Sequence, residues 1–535
     1  MKCDDVRLLP RRSFLRSAAA GALGAKPLMA GLAGALATGC ASMVAPTKSG
    51  STIDPRDERQ PSGDLGNGFY KNPVVITGNF ADLSVIRVGR DYYIPKGQLI
   101  WHSRDLVNWE PIRCRQKVLG IVDTIVQLGD EFRIYAGNLP GYIAAARAKH
   151  PLGPWSDPIT FPGESFDISY MKGLDGKDYL IGGGGPPDCG VLFELAPDGM
   201  SVVREQKLGY MGWPIPEDWD VEGFFLEGWN TITKGGYHYL LTAEGGTAGP
   251  PTSHMALAAR SKNPNGPWEN SPYNPIVHTY SKDEPFWSQG QGVLVDTPEG
   301  EWYMMYHGYL KDQRYLGRNA FLLPVEWTSD GWFRVPKGIK SDQPIRKPKG
   351  GEAVPHGFKL NDDFPGPELD IKWSFGGREA SPEGRYRFVQ GGLALQGFTP
   401  WVPMIMPITH RAYEFVTEMT VPAGAEGGAV IYANARLYTS VSVKGDTISG
   451  HGMLGGASER KNFGGGRIFF RMVCQDGLGR LYYGPDGKQW KHLAMTSDIS
   501  HYDHTIYGGG GVHPGMFAAG SGEVIVHNFR VKGLA

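Results

Sequence analysis

The sequence predicts an all-β chain: a five-bladed β-propeller followed by a jelly-roll or concanavalin-like β-sandwich. The composition is one reason, because 76 Gly and 40 Pro accompany 24 Tyr, 23 Phe and 14 Trp, a mixture that favours short strands and tight turns. A second reason is a glycine turn followed by an aromatic strand, which recurs five times between residues 88 and 303. A third is the change of pattern after Pro355, where alternating strands and Gly-rich turns replace the repeat.

The first 40 residues are predicted to be an export signal. Arg11-Arg12 begins a twin-arginine pattern, an Ala/Gly/Leu-rich stretch follows, and Gly39-Cys40 has the form of a lipoprotein cleavage site. We therefore expect lipidation at Cys40, with an ordinary cleavage site at Ala35-Leu36-Ala37 as the alternative. The protein is expected to be periplasmic or a membrane-anchored lipoprotein, with residues 41–68 as a flexible linker.

Residues 69–350 are predicted to form the propeller. Each copy of the repeat is flanked by alternating apolar residues, which is typical of a β-hairpin. Successive copies are 40 to 64 residues apart, a spacing that fits propeller blades. The turns are at Gly89, Gly129, Gly176, Gly236 and Gly300.

Four of the five blades are predicted to start their first strand with an acid, and the fifth with an amide. Because the innermost strands of a propeller surround one axis, we expect these side chains to meet in a central cavity. Carboxylates gathered there repel one another and shift each other's pKa values, which is typical of functional sites. The alternative is that each acid caps its own turn. The residues, six to nine positions before their turns, are Asp82, Asp123, Asp167, Glu227 and Gln291.

Residues 356–535 are predicted to form the sandwich. Asp362-Asp363-Phe364 opens this segment, and alternating apolar residues from Val524 to Val531 close it.

The composition also excludes two classes of function. Charged residues are 20% and the net charge is -1, which argues against nucleic acid as a partner. The five Cys residues have no C-x-x-C spacing, which argues against a zinc site.

The order and spacing of several motifs resemble glycoside hydrolase family 43, over about residues 70–350 and into the sandwich. The opening strand ends in Asp82, a second segment contains Asp167, and a third contains Glu227-Gly228. Further matching segments are Ala243-Glu244-Gly245-Gly246-Thr247, Tyr306-His307-Gly308 and Gly317-Arg318.

The resemblance implies an inverting hydrolase of the α-L-arabinofuranosidase or β-xylosidase type, acting on terminal bonds of plant-type or related polysaccharides and oligosaccharides. Asp82 is then the general base, Glu227 the general acid, and Asp167 the carboxylate that raises the pKa of the acid and orients it. Glu222-Gly223 has the same form as Glu227-Gly228, but only Glu227 has the nine-residue offset shared with Asp167, so we expect Glu222 in a loop.

Five further residues are predicted to bind the carbohydrate substrate. The resemblance implies that Arg318 contacts the sugar. For the aromatic residues among the five, packing inside the protein is the alternative to stacking on a sugar ring. The five are Tyr170, Trp229, Trp287, Gln291 and Arg318.

Three positions depart from the family pattern. Leu83 stands where Pro is usual, Gly120-Ile121-Val122 stands where a Trp-Ala-Pro wall is usual, and Gln291 replaces a His that helps to hold a calcium or water cluster. We expect no required cofactor and assign no metal ligand, with a structural calcium left open. The changed wall leaves a galactofuranosidase or galactosidase as an alternative. A catalytically inactive surface glycan-binding protein is a further alternative, against which the three retained acids argue.

Overall fold

The structure of the chain is a computed structural model that describes residues 58–114, 122–139, 141–163, 165–183, 190–376, 382–507 and 510–534. The predicted signal 1–40 with Cys40, and residues 41–57 of the predicted linker, lie outside the described residues. Among the linker residues that are described, Gln60 is packed against the fold: it is 3% exposed and its main-chain N–H donates to the carbonyl of Phe358 at 3.0 Å. Within the ranges given above, no helix has the length and apolar character needed to cross a membrane.

Five antiparallel sheets follow one another along the chain and form the five-bladed propeller. Each blade is one continuous segment whose strands pair in sequence order, except that the last strand of the fourth blade pairs with the third strand of that blade. After β1 (Phe69–Tyr70), the first blade is β2 (Ile86–Val88), β3 (Asp91–Lys96), β4 (Leu99–Ser103) and β5 (Glu110–Arg113); the second is β6 (Thr124–Leu128), β7 (Glu131–Leu139), β8 (Tyr142–Ala148) and β9 (Ile159–Pro162); the third is β10 (Ser169–Lys172), β11 (Asp178–Gly182), β12 (Val191–Leu195) and β13 (Val202–Lys207); the fourth is β14 (Glu227–Lys234), β15 (Tyr237–Glu244), β16 (Met255–Ser261), β17 (Glu269–Asn270) and β18 (Val277–His278); the fifth is β19 (Phe286–Asp296), β20 (Trp302–Leu310), β21 (Asn319–Trp327) and β22 (Phe333–Arg334).

The five predicted glycine turns join the first and second strands of the five blades, which confirms the repeat. Each of these glycines has a positive φ, for example 66° at Gly89 and 81° at Gly300. A Cβ at either position would have no heavy atom within 4 Å. Glycine is therefore required there by the left-handed backbone of the turn rather than by lack of space.

The second half of the chain forms two seven-stranded antiparallel sheets, as predicted for a β-sandwich. Side chains from both sheets, such as Phe415 and Val441, are fully buried. The strand β23 (Ile345–Arg346) pairs with β1 ahead of this region. The remaining elements are β24 (Ser374–Phe375), β25 (Tyr386–Val389), β26 (Gly392–Gln396), β27 (Met404–Ile405), β28 (Tyr413–Val421), β29 (Glu426–Asn434), β30 (Leu437–Lys444), β31 (Thr447–Gly452), β32 (Gly455–Arg460), β33 (Gly466–Gln475), β34 (Leu478–Gly484), β35 (Lys491–Asp498), the helix α1 (His504–Tyr507), β36 (His513–Ala519) and β37 (Glu523–Gly533).

The propeller ring is closed by the segment that precedes β2. This segment runs beside β21 of the fifth blade: the N–H of Val74 donates to the carbonyl of Ala320 at 2.8 Å, and the N–H of Phe80 donates to the carbonyl of Arg318 at 2.8 Å. The beginning and the end of the propeller sequence are thereby joined, and Asp82, two residues after Phe80, is brought beside Arg318.

Candidate active site

Left-handed backbone conformations recur where the blades approach the propeller axis. Asp82, Asp167 and Gln291 have φ values of 54°, 51° and 53°, and Gly228, directly after Glu227, has a φ of 67°. For a residue with a side chain this conformation costs roughly 1–3 kcal/mol and is concentrated at functional sites. In β14 and β19 the strand register also shifts at these positions. Such bulges redirect side chains, here toward the axis.

The predicted acids of the first three blades line one small cavity. Its lining is completed by residues of the fourth and fifth blades and by Leu83, which stands where the family usually has Pro. The residues Gly120 and Ile121 of the changed wall lie outside the described residues. The lining residues are Asp82, Leu83, Asp123, Asp167, Trp229, Asn230 and Gln291.

Asp82 is held as a carboxylate. Both of its oxygens accept hydrogen bonds from the guanidinium of Arg318, at 3.0 and 3.2 Å, and its main-chain N–H donates to Nδ1 of His307 at 3.3 Å. Burial acts to raise the pKa of Asp82, but the positive charges of Arg318 and Lys96 outweigh burial and hold this pKa below its ordinary value. An ionised carboxylate in such a place is able to accept a proton from water.

Asp167 favours the protonated form, in contrast to Asp82, and the negative charge of Asp82 is one of the causes. Burial, followed by the charges of Asp82 and Glu227, raises the pKa of Asp167 well above its ordinary value. Its Oδ2 accepts a hydrogen bond of 2.9 Å from the N–H of Gly228, the residue after Glu227. Asp167 therefore retains a proton at a pH where Asp82 is already charged.

Asp123 is a fourth acid of the cavity, and it is fixed by main-chain donors. The N–H of Gly137 donates to its Oδ2 at 2.7 Å, and the main chain of Ile168 is a second partner. Burial is the largest influence and raises the pKa of Asp123 to about 7. This side chain therefore binds or releases a proton close to neutral pH.

Two of the predicted sugar-binding aromatics face away from the cavity. Trp229 borders it but is 2% exposed, and its indole N–H donates to the carbonyl of Gly183 at 2.6 Å. The hydroxyl of Tyr170 donates to Asp178, near the glycine turn at the far end of the strand. Trp229 is therefore packed inside the protein at the edge of the cavity, and Tyr170 packs partly buried against the third blade.

The other two of these predicted residues on β19 differ in position: Trp287 is partly exposed, and Gln291 lines the cavity. Trp287 is partly exposed on β19, its indole N–H donates to the carbonyl of Lys282 at 2.9 Å, and the Arg314 guanidinium lies 5.7 Å from its ring centroid. Gln291 lies in the cavity lining, directly over Gly228, where a Cβ would come within 2.6 Å of Cγ of Gln291. Glycine is thus required at position 228 both by its φ and by this close approach.

Glu222 lies in the loop before β14, separate from the cavity acids. Its N–H donates to Oγ of Ser253 at 2.7 Å, and its Oε2 accepts the N–H of Ala248 at 2.7 Å. These bonds tie together two loops at the mouth. The carboxylate of Glu222 thus has a structural partner in the main chain of Ala248. Glu227 lies five residues further along, as the first residue of β14.

Histidines behind Asp82 were not singled out as site residues from the sequence. His254 and His307 are fully buried and stack with centroids 5.1 Å apart. Burial, reinforced by the nearby Arg318, lowers the pKa of His254 to about 3 and that of His307 well below its ordinary value. Both rings are therefore neutral, so Arg318 and Lys96 are the largest positive influences on the pKa of Asp82.

The sandwich also reaches the mouth of the site. The guanidinium of Arg314 donates to Oγ1 of Thr505 in α1 at 3.1 Å, and the N–H of Val512 donates to the carbonyl of Tyr315 at 2.7 Å. The charge of His504 is near enough to lower the pKa of Asp82. The C-terminal domain is consequently part of the surroundings of the proposed base.

The described residues do not offer an evident cage for a calcium ion. No group of three or more His, Cys, Asp or Glu side chains among them is arranged to hold a metal. Calcium prefers six to eight oxygen ligands, whereas the carboxylate of Asp82 is already bound by Arg318. The chemistry considered below uses no metal ion.

The comparisons with known proteins agree on one family. Residues 70–333 match the model of Glycosyl hydrolases family 43. A non-reducing end alpha-L-arabinofuranosidase of Bacteroides ovatus is 30% identical over 342 residues, which are 58% of this chain and 62% of the relative. A putative beta-xylosidase of Escherichia coli is 29% identical over 357 residues, 56% of this chain and 63% of that protein. The chain thus spans about three fifths of the length of these curated relatives.

A solved structure extends the likeness to both halves of the fold. The crystal structure of a family 43 protein from Bacillus licheniformis has a TM-score of 0.74 and 25% sequence identity, and the match covers 86% of this chain and 99% of the other. A family 43 structure from Bacteroides ovatus gives a TM-score of 0.75 at 23% identity, covering 87% of this chain and all of the other. The propeller followed by a sandwich is therefore an arrangement shared with solved relatives.

Proposed function

The chain belongs, through its propeller, to family 43 of the glycosyl hydrolases, and we propose that it is a glycoside hydrolase that releases terminal arabinofuranosyl or xylosyl residues. One observation carries this proposal: the carboxyl groups at the cavity are in unequal states. Arg318 favours the ionised form of Asp82, whereas burial and the charges of Asp82 and Glu227 favour a proton on Asp167. Cleavage of a glycoside requires such a pair, one acid and one base.

In the proposed reaction the sugar binds in the cavity with its anomeric carbon between Asp82 and Glu227. Asp82 takes a proton from a water molecule, and the oxygen of this water attacks the anomeric carbon. Glu227 gives its proton to the oxygen of the departing group as the bond breaks. Asp167 keeps a proton available to Glu227 and holds the backbone of Gly228. The reaction needs no cofactor.

This single displacement inverts the anomeric configuration, and that is the basis of the test. Aryl α-L-arabinofuranosides, β-xylopyranosides and β-galactofuranosides are offered to the protein, and proton NMR records the anomer present in the first turnovers. We expect turnover of one of the two pentosides with an inverted first product. A retained anomer would refute the role of Asp82, and turnover of the galactofuranoside alone would replace the proposed substrate.

We also propose that the protein is exported by the twin-arginine route and anchored through lipid on Cys40. The support is the sequence pattern from Arg11 to Cys40. Mass spectrometry of the mature protein from its natural host tests the proposal. A lipid-modified N-terminal Cys40 is expected, whereas an unmodified terminus at Thr38 would leave export in place and refute the anchor.

A further inference from the structure

An aromatic cluster lies on the fourth blade, apart from the cavity. It consists of Trp213, Trp219, His278 and Tyr280, and is called the aromatic platform below. Trp219 stacks on His278 with ring centroids 4.4 Å apart and planes 2° apart. Tyr280 stands edge-on to Trp219 at 5.9 Å and 84°, and Trp213 packs against Trp219 at 5.9 Å and 56°. The four rings therefore form one continuous surface.

The strand register places this platform relative to the proposed acid. Glu227 pairs with Ala243, Ala243 with Ala256, and Ala256 with Val277, the residue before His278. Neighbouring strands are about 4.8 Å apart, so three steps across the sheet separate the platform from Glu227 by about 14 Å. Both lie at the same end of the fourth blade. A chain that leaves the cavity along this blade passes over the platform.

The platform is open to solvent on its outer side. Tyr280 is 65% exposed, whereas His278 is 8% exposed. Because one face of Trp219 lies on the buried His278, the exposed part of Trp219 belongs to its opposite face and its edges. The C–H groups on one side of a sugar ring stack on an exposed aromatic ring, as apolar groups pack on aromatic rings generally.

Hydrogen bonds hold the platform in place. The N–H of Trp213 donates to Oε1 of Glu244 at 2.7 Å, and Nε2 of His278 donates to the carbonyl of Thr252 at 2.7 Å. Two prolines, at positions 214 and 216, restrict the loop that carries both tryptophans. A surface ordered in this way loses little conformational freedom on binding a ligand.

Charge near the platform discriminates between classes of polymer. The loop 208–226 contains Glu217, Asp218, Asp220 and Glu222 and no Lys or Arg, and the segment after Tyr280 adds Lys282, Asp283 and Glu284, so the charge of both segments together is negative. These carboxylates repel a polyanion, such as a polyuronate, but accept hydrogen bonds from the hydroxyl groups of a neutral sugar.

We propose that the aromatic platform binds the neutral polysaccharide chain that carries the cleaved residue, on the leaving-group side of the bond and several sugar units from it. The inference rests on the proposed function, since it supplies the polymer to the cavity. The platform binds the backbone of the substrate while the cavity holds the terminal residue.

The test separates long substrates from short ones. Tyr280→Ala and Trp219→Ala are compared with the unmodified protein on an aryl pentoside and on a neutral pentose hexasaccharide, xylohexaose or arabinohexaose. Loss of a well-oriented aromatic contact is worth about tenfold in affinity. We expect kcat/KM on the hexasaccharide to fall about tenfold more than kcat/KM on the aryl pentoside. Equal losses on the two substrates would overturn the proposal.

Direct binding keeps this test independent of turnover. Calorimetry on the full-length Glu227→Gln variant is expected to detect binding of the neutral hexasaccharide and to detect oligogalacturonate at least tenfold more weakly. Addition of Tyr280→Ala is expected to weaken binding of the neutral hexasaccharide about tenfold. Phe69→Ala, an exposed aromatic in a separate two-stranded sheet, is the matched control and should not change it. Binding that Tyr280→Ala does not weaken, or no binding at all, overturns the platform. Absence of aryl-pentoside turnover by the unmodified protein refutes the proposed function instead.

Discussion

Replacement of Glu244 by Gln should change the pH dependence of stability in a calculable way. Glu244 is completely buried, its Oε1 accepts the N–H of Trp213 at 2.7 Å, and its Oε2 has no hydrogen-bond partner among the described residues. Burial raises the pKa of Glu244 from 4.5 to about 8, and the Trp213 bond only partly opposes this. The carboxyl group is therefore protonated in the folded protein at neutral pH.

The sign follows from proton binding. Between pH 4.5 and 8 the unfolded chain has lost this proton and the folded chain has kept it, so rising pH favours unfolding. Each pH unit in this interval lowers the free energy of unfolding by about 1.4 kcal/mol, which amounts to about 5 kcal/mol over the whole interval. This contribution is fully favourable below pH 4.5 and stops changing above pH 8. Glu244→Gln does not ionise and removes this slope.

The assay is chemical unfolding of both proteins at pH 5 and at pH 7.5. Glu244→Gln should gain about 3 kcal/mol relative to the unmodified protein on going from the lower to the higher pH. An infrared difference spectrum of the two proteins at pH 7 should also contain the carbonyl band of a protonated carboxylic acid. A difference in unfolding free energy that does not change with pH, together with no such band, would refute a protonated Glu244.

Three further outcomes are expected at the active site. Glu227→Gln should lower kcat by about 10²- to 10⁴-fold on substrates with a poor leaving group, and by much less on dinitrophenyl glycosides, in steady-state assays. Glu222→Gln should lower the rate far less and without this dependence; the reverse behaviour of the two variants would exchange their roles. Arg318→Met should raise the pKa of Asp82, so the acidic limb of the kcat/KM profile should move up by at least one pH unit, and an unmoved limb would show that this limb does not report Asp82. Gly228→Ala should reduce activity and lower the thermal midpoint, since its φ of 67° is strained for alanine; unchanged values in both measurements would contradict the positive φ.

The parts of the fold that the sequence predicted are those determined locally. Gly89 and the four equivalent glycines mark turns whose geometry requires them, so the number of blades could be counted from the repeat. The position of each acid six to nine residues before its glycine turn likewise placed Asp82 and Asp167 at one cavity. Both conclusions depend on short-range spacing, which a sequence carries directly.

Other features depend on strand irregularities or on contacts between segments far apart in the chain, so local sequence patterns do not predict them. The bulge at the start of β14 breaks strict alternation, so the burial of Trp229 did not follow from its position. The approach of Thr505 to Arg314 joins residues almost two hundred positions apart. Lys96 follows the buried run Tyr92 to Pro95 in β3, and this was a local signal that could have marked it as a partner of the site.

The closure of the propeller ring has a consequence for how the protein becomes active. Asp82 precedes the first blade, and Arg318, which holds it ionised, opens the second half of the last one. A chain in which only the first four blades have folded contains the four carboxylic acids of the blades. It still lacks the guanidinium of Arg318, which favours the ionised form of Asp82. The proposed activity should therefore require a closed ring, because only closure brings Arg318 to Asp82.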